Sequence, residues 1–211
     1  MARFLLVSFA GYPYTPSSLM PDNGLANLAG ELIAGGHEAR VRDYGTVGTM
    51  SRLYPPAVRR RMQPLVRRML AGGRAGLLDL VRTLRCDRRL RRHQQQMHEE
   101  LAQELLAEAA EFGAEAIGFK LWNGDGFLGT VRIASRIRRQ RPALRLFAGG
   151  PHVDWFGPAI LRHTGVFDAL VLGEGEPAIV PLAEHVAGRR PLRDVPNLLY
   201  VEGGRVRRTR R

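Results

Sequence analysis

Two short apolar runs, each ended by glycines, give the chain its frame. Leu144, Leu146, Phe147 and Ala148 stop at Gly149-Gly150-Pro151-His152, and Ala169-Leu170-Val171-Leu172 stop at Gly173-Glu174-Gly175-Glu176. Between them Trp155, Phe156, Ile160 and Leu161 recur at helical spacing. Buried strands that halt at glycines where the next helix begins are the pattern of a parallel α/β sheet. The same rhythm runs upstream. Phe4 to Phe9 is apolar almost throughout and reads as a first strand. Leu25, Leu28, Ala29, Leu32 and Ile33 then predict a helix closing on Gly35-Gly36. His37 to Tyr44 alternates, as an exposed or edge strand does, and Ala114 to Trp122 reads as the third strand. Phe127 to Gln140 is a helix with Leu128, Val131, Ile133, Ala134 and Ile137 on its buried side. Pro177 opens the last core helix, where a first-turn proline costs nothing. Five strands alternating with helices predict an α/β fold: a doubly wound, flavodoxin-like (Rossmann-like) five-stranded parallel sheet in the order 2-1-3-4-5. The tail from Pro196 to Val206, with Gly203-Gly204 at its centre, predicts a C-terminal β-hairpin.

Residues 45–111 interrupt this rhythm with three amphipathic stripes. Met62, Leu65, Val66, Met69 and Leu70 form the first; Leu77, Leu78, Leu80, Val81 and Leu84 form the second, beyond Gly72-Gly73. Leu101, Leu105, Leu106 and Ala109 form the third, on an acidic helix expected to begin near His98. Two or three helices are predicted, the last crossing to the third strand and the others forming an insertion over about 45–97. The expected organisation is therefore one domain over 1–190 and a hairpin or linker over 191–211.

Charge sharpens the picture of the insertion. The net charge is +12, and thirteen arginines face only Asp79 and Asp87 between Arg52 and Arg92. Lysine occurs once, at Lys120. Such an Arg-for-Lys bias often reflects GC-rich coding, and Tyr54 is the only aromatic candidate for base stacking here. A solvated basic face is the preferred reading; nucleic-acid binding through the insertion is the alternative. No apolar run reaches the length of a membrane span, and the N-terminus lacks a signal peptide's apolar stretch. No membrane partner is expected, and a cytoplasmic location is. The single cysteine, Cys86, leaves no internal disulfide and no multi-cysteine metal or iron–sulfur site in this chain.

In such a sheet, ligands bind outside the carboxyl ends of the strands. The crevice is predicted between strands 1 and 3, lined by Ala10, Gly11, Tyr12 and on to Tyr14, and by Lys120, Leu121, Trp122 and on to Gly126. Gly149, Gly150, Pro151 and His152 flank it, with Gly173, Glu174 and Gly175 beyond. Glycine at so many strand ends fits close approach of a large flat ligand, and it equally fits tight strand-to-helix turns. Lys120 points at this face, towards a ligand phosphate or carbonyl or out to solvent. Trp122 covers a ligand or fills core. His152 touches a ligand or bonds a loop carbonyl. Glu174 and Glu176 contact a ligand or favour the dipole of the next helix.

The ordered motifs resemble the N-terminal cobalamin-binding domain of cobalamin-dependent radical S-adenosylmethionine (radical SAM) enzymes. They are Gly24-Leu25-Ala26-Asn27-Leu28-Ala29, Gly36-His37-Glu38-Ala39 with Asp43, Ala116-Ile117-Gly118-Phe119, Ala148-Gly149-Gly150-Pro151-His152, Asp168 to Leu172 and Gly173-Glu174-Gly175-Glu176. The resemblance implies cobalamin, with its corrin over the strand ends and its nucleotide tail passing Gly149-Gly150. It implies no histidine from this chain on cobalt, because the loop from Ser8 to Tyr14 contains none, with Tyr12 packing near the corrin's lower face. Relatives often carry serine or threonine where this chain has Lys120. The implied role is the cobalamin-binding module of a radical SAM-type methyltransferase or related enzyme, with no catalytic residue of its own. The iron–sulfur cluster and S-adenosylmethionine would then belong to a missing domain or to a partner on a separate chain, and the chain would be truncated, stand-alone or half of a split enzyme. A rival expectation is a degenerate, non-binding scaffold that makes protein contacts through the insertion.

Overall fold

The computed structural model describes residues 1–11, 22–74 and 76–210. The first half of the chain forms β1 (Arg3–Ser8), α1 (Asn23–Ala34), β2 (Glu38–Asp43), α2 (Val47–Leu53), α3 (Pro56–Leu70) and α4 (Leu77–Phe112). The second half forms β3 (Ala116–Lys120), α5 (Asp125–Gln140), β4 (Arg145–Gly149), α6 (Pro151–Thr164), β5 (Ala169–Val171), α7 (Glu176–Val186), β6 (Leu198–Glu202) and β7 (Arg205–Arg208). One sheet runs in the order β2-β1-β3-β4-β5-β6-β7. The first five strands are parallel, and β6 and β7 add antiparallel.

The sheet therefore has seven strands where five were expected. The hairpin is no appendage: Leu198, Leu199 and Tyr200 pair with Val171, Leu170 and Ala169 and all three are buried. Pairing covers the free edge of β5, which would otherwise present open backbone groups. At the other edge, β2 stays largely exposed, and its Arg40 and Arg42 pair with Glu111 and Glu108 of α4.

Strand side chains alternate between two faces, and each face has its own core. Phe4, Leu6, Phe147, Val171 and Tyr200 meet Leu25 and Leu32 of α1 and Ile179 and Leu182 of α7. Leu5, Val7, Ile117, Leu146 and Leu170 meet α4, α5 and α6 through Leu101, Leu105, Ile133, Ile137, Val153 and Ile160. The doubly wound arrangement follows from this two-sided burial.

The insertion corrects the sequence reading. The second and third stripes belong to one helix of 36 residues, α4, not to two. No glycine or proline lies between Leu77 and Phe112 to break it, so the acidic helix does not begin near His98. It ends where Gly113 adopts φ 67°, a left-handed cap that glycine takes without strain. A short helix, α2, also precedes the first stripe; the Thr46 hydroxyl caps it by accepting from Thr49 N–H.

Candidate functional site

An apolar cavity opens between α1 and α7 on one face of the sheet, at the carboxyl ends of β3, β4 and β5. It holds about 160 Å³. Its apolar walls are Phe4, Leu6, Leu25, Leu28, Phe147 and Val171, and glycines 24, 118, 149, 150, 173 and 175 line the remainder. Period-2 alternation puts Gly118, Lys120 and Gly149 on this face, and the missing side chains of the two glycines make the room. A Cβ on Gly149 would meet nothing closer than the Val171 carbonyl oxygen at 3.5 Å, and one on Gly173 would meet no atom within 4 Å. At Gly150 the backbone itself requires glycine, with φ 100°. Gly173 and Glu174 also border an outer groove of about 690 Å³ that reaches Asp154, Asn197 and Arg208. Within that groove Asp154 Oδ1 accepts from Gly173 N–H at 2.7 Å.

Lys120 stands at the cavity mouth, and its ammonium is held from two sides. Nζ lies 2.9 Å from both carboxylate oxygens of Asp22 and 4.5 Å from the centre of the Trp122 ring. Asp22 is itself nearly buried, its side chain 4% exposed, and it caps α1 by accepting from Leu25 N–H. Trp122 is fixed in turn, since its indole N–H donates to Ser8 Oγ at 3.1 Å. The Trp122 ring thus buttresses the lysine and stays out of the cavity's lining.

The remaining expected site residues divide. Lys120, Gly149, Gly150, Gly173, Glu174 and Gly175 line the cavity together. Leu121 belongs to the core of the opposite face. His152 sits between the rings of Phe127 and Phe156, with Nδ1 2.8 Å from Asn123 Oδ1; burial lowers its pKa below the ordinary value. Pro151 begins α6 behind Gly150. Tyr12 lies outside the described residues. Ala10 and Gly11 close on the α5 terminus, where a Cβ on Gly11 would come within 2.6 Å of the Gly126 nitrogen. Ala10 and Gly11 thus pack on α5, while the cavity reaches the first and third strands through Phe4, Leu6, Gly118 and Lys120 on the α1 side.

Sequence reasoning missed Asp22, Gly24, Leu28 and Gly118. Gly118 was legible, being two residues before Lys120 on the same strand face. Asp22 was legible as a helix cap, but nothing in the chain linked it to a lysine 98 residues away.

A second, smaller cavity of about 30 Å³ lies on the other face of the sheet, beside Phe9, Gln94, His98, Asp125 and Arg132. His98 is 8% exposed and meets Phe9 edge-on with ring centres 5.4 Å apart. Its Nδ1 has no hydrogen-bond partner among the described residues. Burial, with a smaller contribution from the nearby Arg132 charge, lowers its pKa to about 4. Among the described residues no group of three or more His, Cys, Asp or Glu is arranged to hold a metal ion. No helix among them is long and apolar enough to cross a membrane.

These features define an α/β domain of the Rossmann-like kind, with a cavity at the strand ends. Residues 80–183, just under half of the chain, match the B12 binding domain family, a match that supports B12, or cobalamin, as the cofactor. No curated protein matches the chain by sequence. Among solved structures, it resembles the radical S-adenosylmethionine methyltransferase TsrM from Kitasatospora setae. A TsrM structure with cobalamin and a 4Fe–4S cluster bound matches with a TM-score of 0.58 and 18% identity, covering 100% of this chain and 31% of that one. A second TsrM structure, with tryptophan substrate and a SAM analogue, has a TM-score of 0.59 at 18% identity over 30% of its chain. The cobalamin-dependent S-adenosylmethionine radical enzyme OxsB with aqua-cobalamin bound matches with a TM-score of 0.62 and 11% identity, covering 100% of this chain and 22% of that one. The chain thus spans less than a third of the length of these enzymes.

Proposed function

We propose that the chain binds cobalamin as the cofactor-holding module of a radical SAM-type methyltransferase or a related enzyme. The observation that carries this reading is the apolar cavity between α1 and α7, lined by Gly118 within β3 and by glycines at the ends of β4 and β5. A flat heterocycle from the cofactor's nucleotide tail fits a space of about 160 Å³, whereas the corrin belongs outside, over the strand ends and the groove beside Glu174. Bound cobalamin supplies a cobalt centre able to carry a methyl group. This chain's own residues bind and orient it. Phe4, Leu6 and Leu28 exclude water from the tail; Gly149 and Gly173 let backbone approach it; Lys120 offers a fixed ammonium at the mouth. The iron–sulfur cluster and S-adenosylmethionine belong, on this reading, to another domain or partner.

The test is retention of hydroxocobalamin. Wild-type protein loaded with it and passed through gel filtration should carry the corrinoid absorbance in the protein peak. Gly149→Leu places a side chain in the cavity without backbone strain and should elute colourless with an unchanged melting curve. A colourless wild-type peak at saturating ligand, or a Gly149→Leu protein that binds as well as wild type, rejects the reading. The first outcome would favour the non-binding scaffold, for which the Lys120–Asp22 pair across the mouth is the supporting observation.

A further inference from the structure

The helical hairpin made by α3 and the first half of α4 takes no part in the cavity. No residue of α3 is buried, and the first buried residue of α4 is Met97. The preceding twenty residues of that helix therefore project over roughly 30 Å. Eight of the sixteen strongly exposed large apolar side chains among the described residues lie in this hairpin, between Val66 and Leu84. Monomeric domains rarely concentrate apolar surface in this way without a partner for it.

The distribution is polar in one direction and apolar in the other. Leu70, Leu77 and Leu78, at the tip, are 83%, 77% and 73% exposed. Leu77, Leu80, Val81 and Leu84 share an arc of roughly 100° on α4. Arg88, Arg91 and Arg92 continue the same side of the helix towards the body. From Pro56 to Arg92 the only acidic residues are Asp79 and Asp87. Asp79 is paired with Arg68 and Asp87 with Arg91.

We propose that this tip docks the protein on an anionic phospholipid surface, with the leucines entering the headgroup–acyl boundary and the arginines pairing with lipid phosphates. The charge is complementary, and arginine forks match phosphate oxygens. The apolar depth needed is a few side chains, which suits a helix pair lying on or dipping into a membrane without crossing it. A second copy of the chain would bring two strongly basic hairpins together. A nucleic acid would satisfy the arginines and leave three leucines in water; the segment 56–92 contains no aromatic ring for base stacking. A protein groove contacts one helix face, whereas Leu77 and Leu78 diverge by about 100° and Leu70 leaves from the other helix. A fluid interface accepts all three directions.

The whole chain, mixed with sucrose-loaded vesicles, tests this without reference to cobalamin. It should sediment with phosphatidylcholine vesicles containing about 30% phosphatidylglycerol, not with phosphatidylcholine alone, and the fraction bound should fall as salt rises. The double substitution Leu77→Ser with Leu78→Ser should lower partitioning about tenfold or more while the circular dichroism melt is unchanged. Leu70→Ser, on the other helix, is a second variant should the first disturb the fold. Equal sedimentation of both serine variants and wild type overturns the proposal, as does equal binding to neutral vesicles. So does duplex DNA binding that the leucine substitutions leave intact in the absence of vesicle binding. A wild-type dimer by light scattering that the same substitutions dissolve, again without vesicle binding, also overturns it and assigns the face to a second copy.

Discussion

His98 makes the fold sensitive to mild acid, and the size of the effect follows from its surroundings. Its ring is buried between α4 and α5, and burial first, then the Arg132 charge, lowers its pKa from 6.5 to about 4. In the unfolded chain the imidazole takes up a proton near pH 6.5, whereas in the folded chain it stays neutral down to about pH 4. Between those values the unfolded state holds more protons, so stability rises with pH. The contribution is fully present above pH 6.5 and is lost progressively towards pH 4. At about 1.4 kcal/mol per pH unit, the loss is about 2 kcal/mol between pH 7 and 5 and about 3 kcal/mol by pH 4.

Urea melts of wild type and His98→Leu at pH 7, 6 and 5 isolate this group. His37 and His152, whose pKa values are also lowered by burial, act in the same direction and cancel in the comparison. Leucine sacrifices no protein hydrogen bond at Nδ1, which has no partner among the described residues, so at pH 7 the variant should be within about 1 kcal/mol of wild type. By pH 5 it should be the more stable by about 2 kcal/mol relative to that starting difference. A difference between the two proteins that does not change from pH 7 to pH 5 refutes the reasoning, because it means His98 protonates in the folded state as easily as in the unfolded one.

Lys120→Met leaves the Asp22 carboxylate, 4% exposed, without its cation and should destabilise the fold by about 2–3 kcal/mol; adding Asp22→Asn should recover part of that in a double-mutant cycle, and strict additivity would refute the coupling. Gly129→Ala would drive a methyl group into the Phe9 ring and within 3.0 Å of His98 Nε2, costing roughly 1–3 kcal/mol; an unshifted thermal melt would show that the helix slides to make room. Asp168→Ala removes the acceptor for Arg138 at 2.6 Å and for Leu146 N–H at 2.7 Å and should cost roughly 2–3 kcal/mol. Corrinoid retention should be unaffected by that change, and parallel loss of both would place Asp168 in the site.

The frame was legible in the sequence because strand burial and glycine punctuation are local signals. Phe4 to Val7, Ile117, Phe147 and Leu170 had to be buried strands whatever surrounded them. The continuity of α4 was harder to read, since its middle, Arg85 to Gln96, has little apolar periodicity. What keeps that stretch helical is the absence of a breaker together with tertiary anchors such as the His93 ring nitrogen on the Arg52 carbonyl oxygen. The hairpin's place in the sheet was illegible for another reason: antiparallel pairing of β6 to β5 is a long-range choice, decided by the edge that β5 would otherwise leave open. Within the site, strand alternation marked the face of Lys120 and Gly149. The packing of Ala10 and Gly11 against Gly126 is a backbone contact that no side-chain pattern encodes.

The two faces of the sheet offer a ligand different room. On the α4–α5 side, Phe9, His98 and Gly129 are in close contact beside a cavity of about 30 Å³, and a groove of about 500 Å³ lined by Arg92, Gln96, Arg132 and Arg139 lies next to it. On the α1–α7 side, six glycines face one another across the sheet ends. On the reading proposed above, the cofactor's narrow part goes down between α1 and α7, and its bulk rests over β4 and β5 beside Glu174 and Asn197. The hairpin leaves the body from α4, on the opposite face of the sheet. Substitutions at Leu77 and Gly149 share no neighbour and no helix, so their effects should add. On the two proposals together, the leucine tip and the arginines behind it rest on a surface while the cavity side faces away from it.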